Sequence, residues 1–141
     1  MAVTANVYPW FIKRIGNKEI DLDTDVFKII LGNSSMTYNA AHDDLADITA
    51  NQLATANGYT SGGATLGSVT WSLSSPDNFW DAANPTWTAS GGSISADTAA
   101  IYDDTHANDA LAVHIDFGGN QSAGDGTQLV INFNASGIMK I

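Results

Sequence analysis

Residues Ala110 to Phe117 read Ala-Leu-Ala-Val-His-Ile-Asp-Phe, and this octet decides the fold class. Leu111, Val113, Ile115 and Phe117 fall on one side of an extended chain, with His114 and Asp116 on the other. A period of two is the mark of a half-buried β-strand, and it predicts solvent or an interface around His114. Just upstream, Thr98 to Tyr102 (TAAIY) reads as a second strand, closed by a loop over Asp103 to Asn108. Downstream, Gly118 to Gly126 (GGNQSAGDG) is too rich in glycine for a strand and reads as a flexible loop. Thr127 to Phe133 and Gly137 to Ile141 complete the C-terminal series.

The same pattern extends towards the N-terminus. Val26 to Leu31 (VFKIIL) is dense in β-branched and aromatic residues, and Gly32-Asn33 stops it. Val69, Trp71 and Leu73 alternate with polar residues in Ser68 to Leu73, a further half-buried strand. Thr86 to Ala89 reads as another, with Met36 to Tyr38 and Gln52 to Ala56 as weaker candidates. Asn57-Gly58 marks a turn, Gly58 to Gly67 is glycine-rich and irregular, and Ser74 to Pro85 is turn-rich. Val7 to Ile15 (VYPWFIKRI) is the best helix: Pro9 suits a first turn, Phe11, Ile12 and Ile15 share a face, and Gly16 ends it. A strand is the competing reading of that stretch. His42 to Ile48 reads as a short helical turn or ordered loop capped by Asp43. Eight or so short strands at this spacing predict a mainly β chain, an antiparallel β-sandwich or jelly-roll-like domain over 1–141 with a short N-terminal helix. Chain ends fray unless something holds them, and Met1 and Ile141 are expected to be paired or docked.

Composition agrees. The 141 residues carry 15 acids against 5 bases, a net charge of −10, and 14 of the acids are Asp. With Glu19 the sole Glu and few Lys or Arg, the strongest polar helix formers are scarce. The polar surface must be Asn, Asp, Ser, Thr and Gly, which favour turns and strand edges. Such short side chains lose little rotamer entropy when ordered against a neighbour, a bias towards packing into assemblies. The acidic balance disfavours nucleic acid and anionic membrane as partners, since both need clustered Lys and Arg. No apolar run reaches the roughly 20 residues of a membrane span. Met1 to Pro9 shows no basic segment followed by an apolar stretch, so no secretory signal is expected. With no cysteine, disulfides, thiolate metal sites and cysteine nucleophiles are excluded.

Motifs for chemistry are weak. Asp21-Leu-Asp23-Thr-Asp25 resembles the start of an EF-hand loop, but Val26 and Gly32 stand where the sixth-position Gly and twelfth-position Glu belong. A solvated turn is the preferred reading, a looser calcium site at Asp21, Asp23 and Asp25 the alternative. His42 beside Asp43-Asp44 and His106 near Asp103-Asp104 lack metal-binding spacing. No G-x-S-x-G elbow or P-loop occurs, and a carboxylate pair chosen from 14 Asp has no specificity for glycoside hydrolysis. No catalytic residue, metal or cofactor is predicted, and the chain is read as a non-enzyme. The tryptophans Trp10, Trp71, Trp80 and Trp87 suit a small core, a subunit interface or carbohydrate stacking. Trp80, in PDNFWDAANP, is expected at a contact surface.

Several stretches resemble a family of small virion proteins of tailed bacteriophages: Ala2-Val-Thr-Ala-Asn-Val-Tyr, Asn17 through Leu31, Gly58-Tyr-Thr-Ser-Gly-Gly-Ala-Thr-Leu, Ala100-Ile-Tyr-Asp-Asp-Thr, Val113 through Ser122 and Phe133 through Ile141. The likeness runs in order along nearly the whole chain. It implies a structural part of the particle, on capsid or tail, located in the virion, and carries over no catalytic residue. The expected role is a capsid decoration (cement) protein, a homo-oligomer, expected as a trimer, bound to the major capsid protein. The alternative is a tail or baseplate component contacting host glycans through exposed aromatics. Trp10, Phe11, Lys13, Arg14, Phe79 and Trp80 are the candidate subunit or capsid contacts.

Overall fold

The computed structural model describes residues 3–141. In chain order the strands are β1 (Thr4–Val7), β2 (Phe27–Gly32), β3 (Ala64–Thr65), β4 (Thr70–Ser74), β5 (Asp77–Asp81), β6 (Thr86–Thr88), β7 (Ile94–Asp103), β8 (Ala110–Ala123), β9 (Gln128–Val130) and β10 (Met139–Lys140). One helix, α1 (Pro9–Gly16), follows β1, and two 3-10 turns lie at Leu45–Asp47 and Thr49–Asn51. The chain is mainly β, and every strand pairing is antiparallel. The main sheet runs β1-β8-β7-β2-β3; smaller sheets are β10-β5-β4 and β6-β9. Phe27 of the main sheet packs against Trp80 of β5, so the sheets stack as a small sandwich.

Residues paired across a ladder share a face. Ile29, Ile101 and Val113 form one such row, and Ala99, Ile115 and Ala5 another. The opposite face carries Ile30, Ala100, His114 and Asn6. Both faces are covered, because β8 is buried without interruption from Ala110 to Ile115 and β2 is buried at all but Lys28. His114 is therefore buried, contrary to the period-two expectation. Its Nε2–H donates to the Met36 carbonyl at 2.8 Å, and Tyr38 lies 6.3 Å from its ring. The segment after β2 folds back over that face, so a pattern suggesting one solvated side belongs to a two-sided core strand.

The stretch Gly118 to Gly126 is also corrected, since β8 continues to Ala123. Ala96 pairs with Gln121 while Thr98 pairs with Asp116, so extra residues bulge out between them. Gly118 and Gly119 take positive φ there (73° and 154°), which a side chain resists. Other boundaries shift modestly. The helix and the β2, β4, β6, β7, β9 and β10 regions fall where expected. Met36–Tyr38 and Gln52–Ala56 form no strand, while β1, β3 and β5 arise in stretches not read as strand. Ile141 is docked, exchanging backbone hydrogen bonds with Asn78 at 2.7 and 2.9 Å; Met1 lies outside the described residues. No helix among the described residues is long and apolar enough to cross a membrane.

Candidate contact surfaces

The N-terminal helix splits the expected contact residues in two. Pro9 starts it and a backbone turn at Asn17 ends it. Its inner face carries Phe11, fully buried, with ring centroids 5.3 Å from Trp80 and 6.3 Å from Phe27. Arg14 is buried one turn later. Its Nη1 donates to the Asp43 carbonyl at 2.7 Å, and Nη2 lies 3.0 Å from Asp44 and 3.5 Å from Asp43 carboxylate oxygens. Its Nε is 3.7 Å from Glu19, whose carboxylate also lies 3.5 Å from His106. Arg14 thus ties the helix to the segment 43–44 inside the chain. Phe11, Arg14 and Trp80 are internal, so the expectation that they contact a partner is overturned by their burial.

The outer face carries Trp10, Ile12 and Lys13, all exposed, with the Lys13 ammonium 4.8 Å above the Trp10 ring. Ile12, expected on the inner face with Phe11, gives that place to Arg14. Phe79 is half-buried and borders a shallow hollow beside β4. Of the remaining tryptophans, Trp87 is buried and Trp71 half-buried. Trp10 and Lys13 therefore remain as surface groups, with Phe79 partly so.

Sequence reasoning missed one surface feature. An open groove of about 570 Å³ runs between the β1–β8 face and the chain from 129 to 138. Val3, Ala5, Val113, Ile115 and Phe117 form one wall, and Leu129, Val130, Ile131, Phe133 and Ile138 contribute to the other. None of its lining residues is charged, on a chain of net charge −10. The groove adjoins β1, an end strand of the main sheet. Val3 is 64% exposed at its mouth, and Leu73 on β4 is 72% exposed. The alternation Val3-Ala5-Val7 was the available signal, obscured by the helix assigned from Val7 onward.

The polar clusters serve the fold. Asp21 Oδ1 accepts from the N–H groups of Asp23 and Thr24, and Asp25 Oδ2 accepts from Asp21 N–H at 2.8 Å. Those backbone hydrogen bonds hold the Asp21 carboxyl below its ordinary range. The Asp21 and Asp25 carboxylates close a turn, and no three acidic or histidine side chains among the described residues converge on a metal-sized site. Asp103 is buried at the end of β7. Its Oδ1 accepts from Thr105 and His106 N–H, while Oδ2 has no donor. Burial first, and the Asp25 carboxyl beside it second, push Asp103 up to about 7. A raised carboxyl is one requirement of acid–base catalysis, but Asp103 does not line the groove. No family model, curated protein or solved structure matches this chain.

Proposed function

We propose that this chain is a structural component of a tailed-bacteriophage particle, a capsid decoration protein that binds the assembled head and stabilises it without chemistry. The observation that carries the proposal is the uncharged groove beside β1, an end strand of the main sheet, on an otherwise acidic surface poor in Lys and Arg. Apolar side chains such as Val3 and Leu73, left exposed by the isolated chain, are what a contact would bury. A subunit that binds only the assembled lattice stabilises it by mass action. The acidic remainder keeps coated particles apart by charge repulsion. The raised carboxyl lying away from the groove favours a binding role over hydrolysis.

A tail or baseplate location is the second reading, favoured by the exposed indole of Trp10 with Lys13 over it. Copy number separates the two. Quantitative mass spectrometry of purified particles is expected to give hundreds of copies for a head coat and at most a few dozen for a tail tip.

A further inference from the structure

We infer that Asp25 and Asp103 share a single proton, which latches the 21–25 turn onto the loop after β7 in acid and releases it as pH rises past neutrality. The latch lies at one end of the main sheet and does not rest on the function proposed above.

Strand pairing brings the two carboxyls together. Phe27 at the start of β2 pairs with Asp103 at the end of β7. That register sets Asp25, two residues before Phe27, beside the chain leaving β7. Two hydrogen bonds clamp the crossing: Val26 N–H donates to the Thr105 hydroxyl and Asp104 N–H to the Val26 carbonyl, each at 2.8 Å. Asp103 is fully buried. Its Oδ1 accepts from the N–H groups of Thr105 and His106. Its Oδ2 has no donor, and the Asp25 carboxyl lies within hydrogen-bond reach of the Asp103 carboxyl. Asp25 engages its own Oδ2 with the Asp21 N–H. A buried carboxylate oxygen left without a donor is costly, and two carboxylates this close cannot both stay ionised.

The cations on the elements that meet here are already paired. Lys28 of β2 lies 3.2 Å from Asp104, and the His106 ring lies 3.5 Å from Glu19. Arg14 of the helix is held by Glu19, Asp43 and Asp44. Asp21, Asp23 and Asp109 add only negative charge. A proton is the remaining counter-charge: carried by one carboxyl and donated to the other, it gives Asp103 Oδ2 its partner. Burial and then the Asp25 carboxyl raise Asp103 to about 7, which puts the release near neutrality. Once the proton passes to water, two like charges face each other at a buried position, and the turn relieves them by swinging away. Ile20 and Leu22 stay in the core, so the opening is confined to 23–26 and 104–106.

Amide hydrogen exchange of the full chain, read residue by residue by NMR in buffer freed of metal by a chelator, tests this at about pH 5 and about pH 8. The Val26 and Asp104 amides are expected to be protected at the lower pH. At the higher pH they exchange within about ten-fold of the rate of unstructured chain, while Ala99 and Ile101 in the middle of β7 keep about a thousand-fold protection or more. Asp25→Asn retains an acceptor for the Asp21 N–H and sets an amide donor against Asp103 Oδ2, so Val26 and Asp104 stay protected at both pH values. Undiminished protection of Val26 and Asp104 at the higher pH overturns the inference, as does a loss that persists in Asp25→Asn. Loss of protection at Ala99 and Ile101 as well would mean that the whole chain unfolds, and no latch acts. Protection restored at the higher pH by millimolar calcium would put a metal ion in the proton's place and equally reject it.

Discussion

Trp80 and Phe27 join the two larger sheets: their ring centroids are 4.8 Å apart and their planes 69° apart, an edge-to-face pair roofed by Phe11 of the helix. Trp80→Ala removes the largest side chain of the buried core and is expected to cost about 3–5 kcal/mol. Trp80→Phe costs much less, about 1–2 kcal/mol, because it keeps a ring and deletes an indole N–H that has no acceptor. Urea unfolding followed by fluorescence and circular dichroism checks the order.

Arg14 anchors the helix by charge where Phe11 anchors it by packing. Arg14→Met leaves the Asp43 carbonyl without its donor and Asp43 and Asp44 without their cation. The acids are part-exposed, so the loss is expected near 2 kcal/mol, below that of a fully buried pair. Arg14→Lys recovers less than half, since one ammonium cannot span the carbonyl and two carboxylates that the planar fork reaches. Thermal melts of the three proteins test this.

Stability should depend on pH from both sides. The Asp103 carboxyl is raised to about 7, so between about pH 4 and 7 the folded chain holds a proton the unfolded chain has released. That contribution is full at low pH and is lost as pH rises through 7. Asp109, raised by burial and then by Asp104, acts in the same sense. Glu19, lowered chiefly by the Asn17 amide, and Asp21 and Asp47, lowered by backbone N–H groups, act oppositely and lose their contribution as pH falls below about 4. The melting temperature is expected to peak between about pH 4 and 5, to fall as pH rises to about 7, and to level off above it. Asp103→Asn keeps a neutral group able to donate to Asp25, so it flattens the alkaline side. A decline of equal steepness in the variant contradicts the assignment.

Two glycines in the irregular 58–67 stretch are fixed by close backbone approach. Gly58 (φ 94°) would drive an added Cβ into the Thr88 carbonyl, and Gly63 (φ 80°) into that of Ile29. Gly58→Ala and Gly63→Ala are each expected to destabilise by about 2 kcal/mol or more, whereas Gly67→Ala, with open space around it, stays within about 0.5 kcal/mol. Denaturant midpoints for the three variants decide it.

The β class was legible because alternation at Val113, Ile115 and Phe117 and β-branched density at Val26 to Leu31 report local extension directly. Burial was less legible. His114 looks solvated by period, yet a distant segment covers its face, and nothing local to the strand announces that cover. Gly118-Gly119 looked like a break because glycine weakens strands, but a bulge uses the same residues to continue one. Trp80 sat among turn residues, so its neighbours pointed outward while its own bulk belonged in the core. The groove depends on β1 lying near 129–138, a long-range pairing that no short window contains. For the same reason the contact is best probed by point changes: deleting residues 1–12 would remove β1 and Phe11 and so damage the fold itself.

The decisive measurement is the copy number of this chain in particles purified from a host lysate in which its gene is expressed. A head coat predicts hundreds of copies per particle and heads that break open at lower temperature when the gene is deleted. Purified particles that lack the chain altogether would contradict the account.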